Sequence, residues 1–229
     1  MKKINGWSIS SDEMSPTFLD FVSNNKLNTK WWMEKCKPKY FFTNFFRDFI
    51  YPEITHSPKR TCIDVGASYG FVTDALAQIY SNVHAFEVCP STRDCLIENM
   101  KDYENVNIHH GAGSENKNIN VWQYEGYSGH NSVIENDPFS KIHPTHMITK
   151  TTGKIKTIDS LNITNLDLIK IDVERYEIEV LEGAKKTLLK NSPIVIIECL
   201  ENLSDVEYFL THLGYHRKKH QFDDHIFIK

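Results

Sequence analysis

From residue 61 onward the chain alternates short continuous apolar runs with stretches whose apolar residues recur at helical spacing. Runs of that length bounded by turn signals read as buried strands, and the spacing i, i+3, i+4, i+7 reads as one face of a helix. Residues 61–65 are the first predicted strand, and Phe71, Val72, Ala75, Leu76 and Ile79 then mark the buried face of a helix. A second strand is predicted over residues 83–87, a helix with Leu96, Ile97 and Met100 inside, and a third strand over residues 106–110. Later strands are expected at residues 166–171 and 193–198, followed by a helix burying Phe209, Leu210 and Leu213. Ser204-Asp205-Val206-Glu207 fits a capping box at the start of that helix. Two final runs around Phe222-Asp223-Asp224 predict a terminal antiparallel hairpin. Strands alternating with helices point to an α/β fold on a mostly parallel sheet.

Two regions fall outside this rhythm. Residues 1–57 read as a helical, aromatic-rich N-terminal extension, set off from the domain at 58–229 by Thr55-His56-Ser57-Pro58. Phe42, Phe45, Phe46 and Phe49 follow one helix face, which would pack on the sheet domain or on a second subunit of a homo-oligomer. Trp31 and Trp32 are candidates to line an acceptor pocket. Residues 125–153 carry no sustained period and are expected to overhang the sheet as a lid, since irregular insertions longer than ~12–15 residues are usually functional or disordered.

Ile63-Asp64-Val65-Gly66-Ala67-Ser68-Tyr69-Gly70 joins the first strand to the first helix. Such a loop lies at the carboxyl end of a strand, where open α/β sheets bind ligands. Gly66 and Gly70 allow the backbone a close approach that a Cβ would block. No third glycine completes a dinucleotide fingerprint, and the Asp64 carboxylate would repel a pyrophosphate. That argues against a nicotinamide oxidoreductase. A cationic sulfonium nucleoside, S-adenosylmethionine, suits an acid beside a glycine turn by Coulomb attraction. Phe86-Glu87 ends the second strand about twenty residues later, where an acid accepts both ribose hydroxyls. Gly111 and Ala112 would let an adenine edge reach the backbone.

The strand at 166–171 runs into Asp172, Glu174 and Glu177, and the next ends in Glu198. Carboxylates this dense need a cation nearby. Asp172 is expected to face the crevice, and Glu177 to gain from the dipole of the helix it opens.

Taken together these motifs resemble the FkbM-type S-adenosylmethionine-dependent methyltransferases over roughly residues 60–215. The resemblance rests on Ile63 to Gly70, Phe86-Glu87 with Pro90, Asn99, Thr157-Ile158-Asp159-Ser160-Leu161, Lys170-Ile171-Asp172-Val173-Glu174 with Glu177, Gly183-Ala184, and Ile197-Glu198. It implies a Rossmann-like class I methyltransferase sandwich with a mostly parallel seven-stranded sheet. Arg175-Tyr176 stands where the family usually has Gly-Ala, and Ser68 where it has Asn. The cofactor would be S-adenosylmethionine, held by Asp64, Gly66, Ala67, Ser68, Tyr69, Gly70, Phe86, Glu87, Gly111 and Ala112. The acceptor implied is a hydroxyl of a sugar or glycan, with a non-sugar secondary metabolite and a non-catalytic nucleoside-binding module as the alternatives.

An alcohol needs a base or a metal beside it before it attacks. Asp172 and Glu174 are candidates for orientation, and His130 on the lid for the base, because histidine titrates near neutral pH. Asp172, Glu174 and Glu198 could hold Mg²⁺ instead, but six oxygen ligands are not supplied, so no metal is expected. His143 and His146 are read as surface histidines.

Composition narrows the partners. A net charge of -4 leaves no electrostatic footprint for nucleic acid. No apolar run approaches the ~18 residues of a membrane span, and the start at Met1-Lys2-Lys3 lacks a signal-peptide apolar region, so a cytoplasmic location is expected. Five cysteines without a C-x-x-C pair read as reduced packing residues.

Overall fold

In the computed structural model, residues 1–28, 45–135 and 148–229 are described. A seven-stranded sheet forms the centre of the protein. Its first strand, β3 (Thr61–Val65), is followed by α3 (Phe71–Ala77), β4 (Asn82–Phe86), α4 (Pro90–Met100) and β5 (Val106–His109). Chain direction across the sheet then reverses. β9 (Leu166–Ile171) pairs in parallel with the other side of β3, and β10 (Ile194–Glu198) pairs in parallel with β9. Between them lie α5 (Glu177–Gly183) and α6 (Lys185–Asn191). After α7 (Leu203–His212), β11 (His216–Gln221) and β12 (Asp224–Ile228) form the terminal hairpin, with β12 antiparallel to β10. The spatial order is β11-β12-β10-β9-β3-β4-β5. This is the Rossmann-like arrangement expected, and its reversal between β3 and β9 opens a crevice at the strands' carboxyl ends. β3 and β9 are buried throughout, which is why both are mainly apolar, with Asp64, Asp167 and Lys170 as their charged positions.

Several local expectations are corrected. The N-terminal stretch is not helical throughout. It opens as a hairpin, β1 (Lys2–Ile4) and β2 (Trp7–Ile9), because Asn5 and Gly6 both take positive φ, the requirement of a tight hairpin turn. Helix α1 (Pro16–Asn24) follows, with the Ser15 side chain accepting from the Phe18 N–H. A π-helical turn, Phe45–Ile50, then leads into α2 (Tyr51–Ile54). Phe45, Phe46 and Phe49 are buried in the cluster that also holds Trp7, Phe21, Phe71, Leu76 and Ile226. These N-terminal elements therefore share a core with the sheet. Phe42, Trp31 and Trp32 lie outside the described residues.

Ile97 is 48% exposed, because Cys95, Leu96, Asn99 and Met100 occupy the buried face of α4. The capping box at Ser204 does not form. Helix α7 starts two residues earlier, behind Asn202, whose side-chain amide is turned toward Glu177.

The lid region is also more ordered than its sequence suggested. After β6 (Gly111–Ala112), strand β7 (Lys117–Tyr124) pairs antiparallel with β8 (Ile148–Lys156) over its whole length. The irregular part thus ends before Ile148, and its described portion holds a 3-10 turn at Ser128–His130. His143 and His146 fall outside the described residues. Cys62, Cys89, Cys95 and Cys199 are buried free thiols. Among the described residues no helix is long and apolar enough to cross a membrane.

Candidate active site

The crevice holds a cavity of about 460 Å³. Four segments frame it: the turn after β3, the end of β4, and the ends of β9 and β10. The 3-10 turn of the lid and the start of α1 cover it.

The turn after β3 is fixed from both sides. Gly66 and Ala67 donate to the Phe86 carbonyl, each at 3.0 Å. The Ser68 N–H donates to Glu87 Oε2 at 2.9 Å, and the Asn99 amide donates to the Tyr69 carbonyl at 2.8 Å. Gly66 has φ 79°, and a Cβ there would stand 1.7 Å from the Asp172 carbonyl oxygen. Glycine is therefore required by the neighbouring strand end. The same holds at Gly111, where a Cβ would stand 2.6 Å from Val88. Both glycines are where the sequence reading put them, but the close approach each permits is to protein.

Glu87 accepts the Ser68 and Cys89 N–H groups on separate oxygens, at 2.9 and 2.8 Å. Burial pushes its carboxyl up to about 7 against those two donors. Asp64 is fully buried. One of its oxygens accepts from Thr73 Oγ1 at 2.6 Å, and the other lies 3.8 Å from Lys170 Nζ. The first counter-charge of Asp64 is thus a side chain of the same sheet, which the sequence reading did not foresee. Burial raises the Asp64 pKa, opposed by Lys170 and Thr73.

Lys170 organises the acids. Its side chain is 5% exposed and its ammonium lies 2.9 Å from Asp172 Oδ2. Burial pulls the ammonium down, but Asp172 and Asp64 outweigh it and hold Lys170 above its ordinary value. Asp172 is deep in the crevice, yet its side chain stays 38% accessible because it faces the hollow. Burial pushes the Asp172 carboxyl up, and Lys170 with a hydrogen bond from Glu198 brings it below the usual range. The charge of Asp172, then burial, then Glu174 drive Glu198 far up, so one proton shared by the pair stays on Glu198.

His130 Nδ1 lies 3.8 Å from Glu174 Oε1, with the imidazole 45% exposed. The structure therefore brings Asp172, Glu174 and His130 to one cavity wall, and Glu198 with them. Glu174 and Arg175 both have positive φ, 52° and 73°. Arg175 thus occupies a backbone conformation that favours glycine, and its guanidinium is held by Glu201 at 3.4 Å.

Sequence reasoning missed Glu13. This buried carboxylate accepts from Tyr69 Oη at 2.9 Å, from Ser128 Oγ at 2.6 Å and from the Ser15 N–H at 2.8 Å. It ties the glycine turn to the lid and to the start of α1. Phe18 and Ser15 of that segment line the cavity.

The methyltransferase FkbM domain matches residues 64–217, two thirds of the chain and every acid of the crevice. The chain belongs to this family. It is an S-adenosylmethionine-dependent methyltransferase. "Methyltransferase 1" of Beauveria bassiana (strain ARSEF 2860) is 23% identical over 191 residues, covering 75% of this chain and 77% of that protein. The crystal structure of methyltransferase FkbM from Methylobacillus flagellatus KT superposes with a TM-score of 0.51 at 16% identity. It covers 92% of this chain, which spans 60% of that protein, and the likeness is one of fold.

The cavity fits the family's cofactor in charge. Among the described residues, Asp64, Glu87, Asp172 and Glu174 line it against one ammonium, that of Lys170, a balance that favours a cationic ligand. Ser68 Oγ and Asp64 Oδ1 are buried on this wall without a hydrogen-bond partner, an unusual state that a polar ligand would relieve.

Proposed function

We propose that the protein transfers a methyl group to a hydroxyl of a sugar or glycan. The observation that carries this reading is the convergence of Asp172, Glu174 and His130 on one wall of the cavity that the glycine turn and Glu87 also line. Ribose hydroxyls would donate to Glu87, whose oxygens keep lone pairs after accepting two N–H groups. The cofactor supplies an electrophilic methyl on a sulfonium.

Asp172, held ionised by Lys170, is an acceptor that orients a hydroxyl. Its low basicity suits it for that and not for taking the proton. His130 is the group to remove the proton, and Glu174 at 3.8 Å stabilises the imidazolium that results. The ring is half exposed, so the proton passes on to solvent. Glu198, which keeps its proton, adds an O–H donor to the wall. A wall of acceptors with one donor matches the hydroxyl pattern of a saccharide.

Lys170 also bears on the metal alternative. The Asp172, Glu174 and Glu198 ligand atoms lie within 4.8 Å of one another, close enough to share a divalent ion. An ammonium 2.9 Å from Asp172 already supplies the positive charge and would repel a second cation. We therefore favour the metal-free route.

The test is incubation with labelled S-adenosylmethionine and a panel of methyl glycosides, nucleotide sugars and short glycans, alongside phenolic and polyketide alcohols. Methyl ethers on saccharides, seen by mass spectrometry, are the expected result. Label appearing only in non-sugar alcohols would move the acceptor class, and label in neither would remove the transfer reading.

A further inference from the structure

A second cavity, of about 360 Å³, adjoins the first and shares Ser128 and Asn131 with it. Four segments make its wall: the N-terminal stretch after β2, the start of α4, β7 with its turn into the lid, and the start of β8. Its chemistry differs from the cofactor cavity. Asp12, Glu13 and Glu125 bring carboxylates, Gln123 an amide, and Ser91 and Thr149 hydroxyls. Among the described residues no lysine or arginine lines it, so a phosphate, sulfate or carboxylate ligand would meet negative charge on these walls. The described lining also lacks an aliphatic face for an apolar metabolite to bury.

Part of the wall is held in place before any ligand arrives. Asn131 Nδ2 donates to Thr92 Oγ1 at 3.2 Å, and Gln123 Nε2 donates to Cys89 Sγ at 3.0 Å, so lid and β7 are both anchored on the start of α4. The Gly126 carbonyl accepts from Met14 and Ser15, at 2.7 and 3.1 Å, which anchors the opposite rim. Preorganised polar groups of this kind bind without a large ordering cost.

We propose that this second cavity is a saccharide subsite, holding the sugar residue next to the one that is methylated. The enzyme's acceptor is then an oligosaccharide or glycan in place of a free monosaccharide. Carboxylates, amides and hydroxyls match a neutral polyhydroxylated ring, and the shared lining at Ser128 and Asn131 sets the two cavities side by side, as neighbouring sugars of one chain require. The inference rests on the sugar-hydroxyl reading above and specifies its substrate.

The test compares methyl glycosides with the corresponding di- and trisaccharides on the full chain, in turnover and in binding to protein loaded with S-adenosylhomocysteine. The expected result is a preference for the longer acceptors of about tenfold or more in kcat/KM. Ser91→Trp and Thr149→Trp, both at exposed rim positions, fill the cavity and should collapse that ratio toward one. An undiminished affinity for S-adenosylhomocysteine in these variants reports an intact fold. Equal use of short and long acceptors by the unmodified protein, or full use of long acceptors by both Trp variants, overturns the subsite. If no sugar is methylated, binding of trisaccharides that the Trp variants abolish would sustain the subsite and remove only the transfer reading. Absence of both transfer and binding removes both.

Discussion

Glu87 shows how a single residue couples the pattern of the chain to its chemistry. An acid at the end of a strand about twenty residues after a glycine turn is a local signal, so its position was legible before any coordinates. Its environment was not, because burial and the two N–H donors come from the packed loop. With its carboxyl pushed up to about 7, Glu87 loses acceptor strength as the pH falls below that value. Cofactor affinity should therefore weaken between about pH 8 and pH 6, measured by calorimetry, and Glu87→Gln should flatten the profile. Glu87→Ala should weaken binding by ~1.5–3 kcal/mol, the range for a hydrogen bond to a charged group. An unchanged affinity would place the ribose contact elsewhere. The stability sign is opposite. The folded apoprotein keeps the proton up to about 7 while the unfolded chain releases it near ~4.3, so this group's contribution is full below ~4.3 and is lost as pH rises through 7.

At the scale of elements, the strands of the parallel core were readable because full burial on both faces turns them into apolar runs. The N-terminal hairpin was readable too. Asn5-Gly6 is a strong turn signal, but the aromatic content of the first 57 residues drew the reading toward helix. Strand β8 is harder, since its outer half is exposed and Gly153 breaks its pattern. Lys170 left a trace in the sequence, as a charge between Ile169 and Ile171 in a mainly apolar strand, where it demands a buried partner. Glu13 left none, because Tyr69 and Ser128, the partners that tie it to the site, lie 56 and 115 residues away and only the fold brings them together. Removing that carboxylate tests whether the first elements hold the lid. Glu13→Ala should lower stability by about 1–3 kcal/mol through the buried hydroxyls left unpaired, measured by denaturant unfolding. It should also raise the acceptor KM more than it changes cofactor affinity, since the lid carries His130. Loss of stability with unchanged kinetics would make Glu13 structural only.

For the whole molecule, the order of strands decides where the chemistry sits. The reversal between β3 and β9 gathers the ends of β3, β4, β9 and β10, which carry the acids, while residues before the family's match at 64–217 help roof them. That convergence supports two routes to an activated hydroxyl, and the whole assembly distinguishes them. If His130 is the base, His130→Ala should reduce turnover by ~10²–10⁴ with little change in cofactor affinity, and a chelator should leave the unmodified enzyme active. If Asp172, Glu174 and Glu198 hold Mg²⁺, chelation should abolish turnover and added Mg²⁺ should restore it. Lys170 weights the first outcome, because its ammonium already neutralises Asp172 at 2.9 Å. Lys170→Met separates the two further: it should cripple the metal-free enzyme by leaving Asp64 and Asp172 without their cation, whereas a metal enzyme relieved of that repulsion should bind Mg²⁺ more tightly. Activity lost in chelator and regained with Mg²⁺ would defeat the metal-free route while leaving the methyltransferase assignment in place.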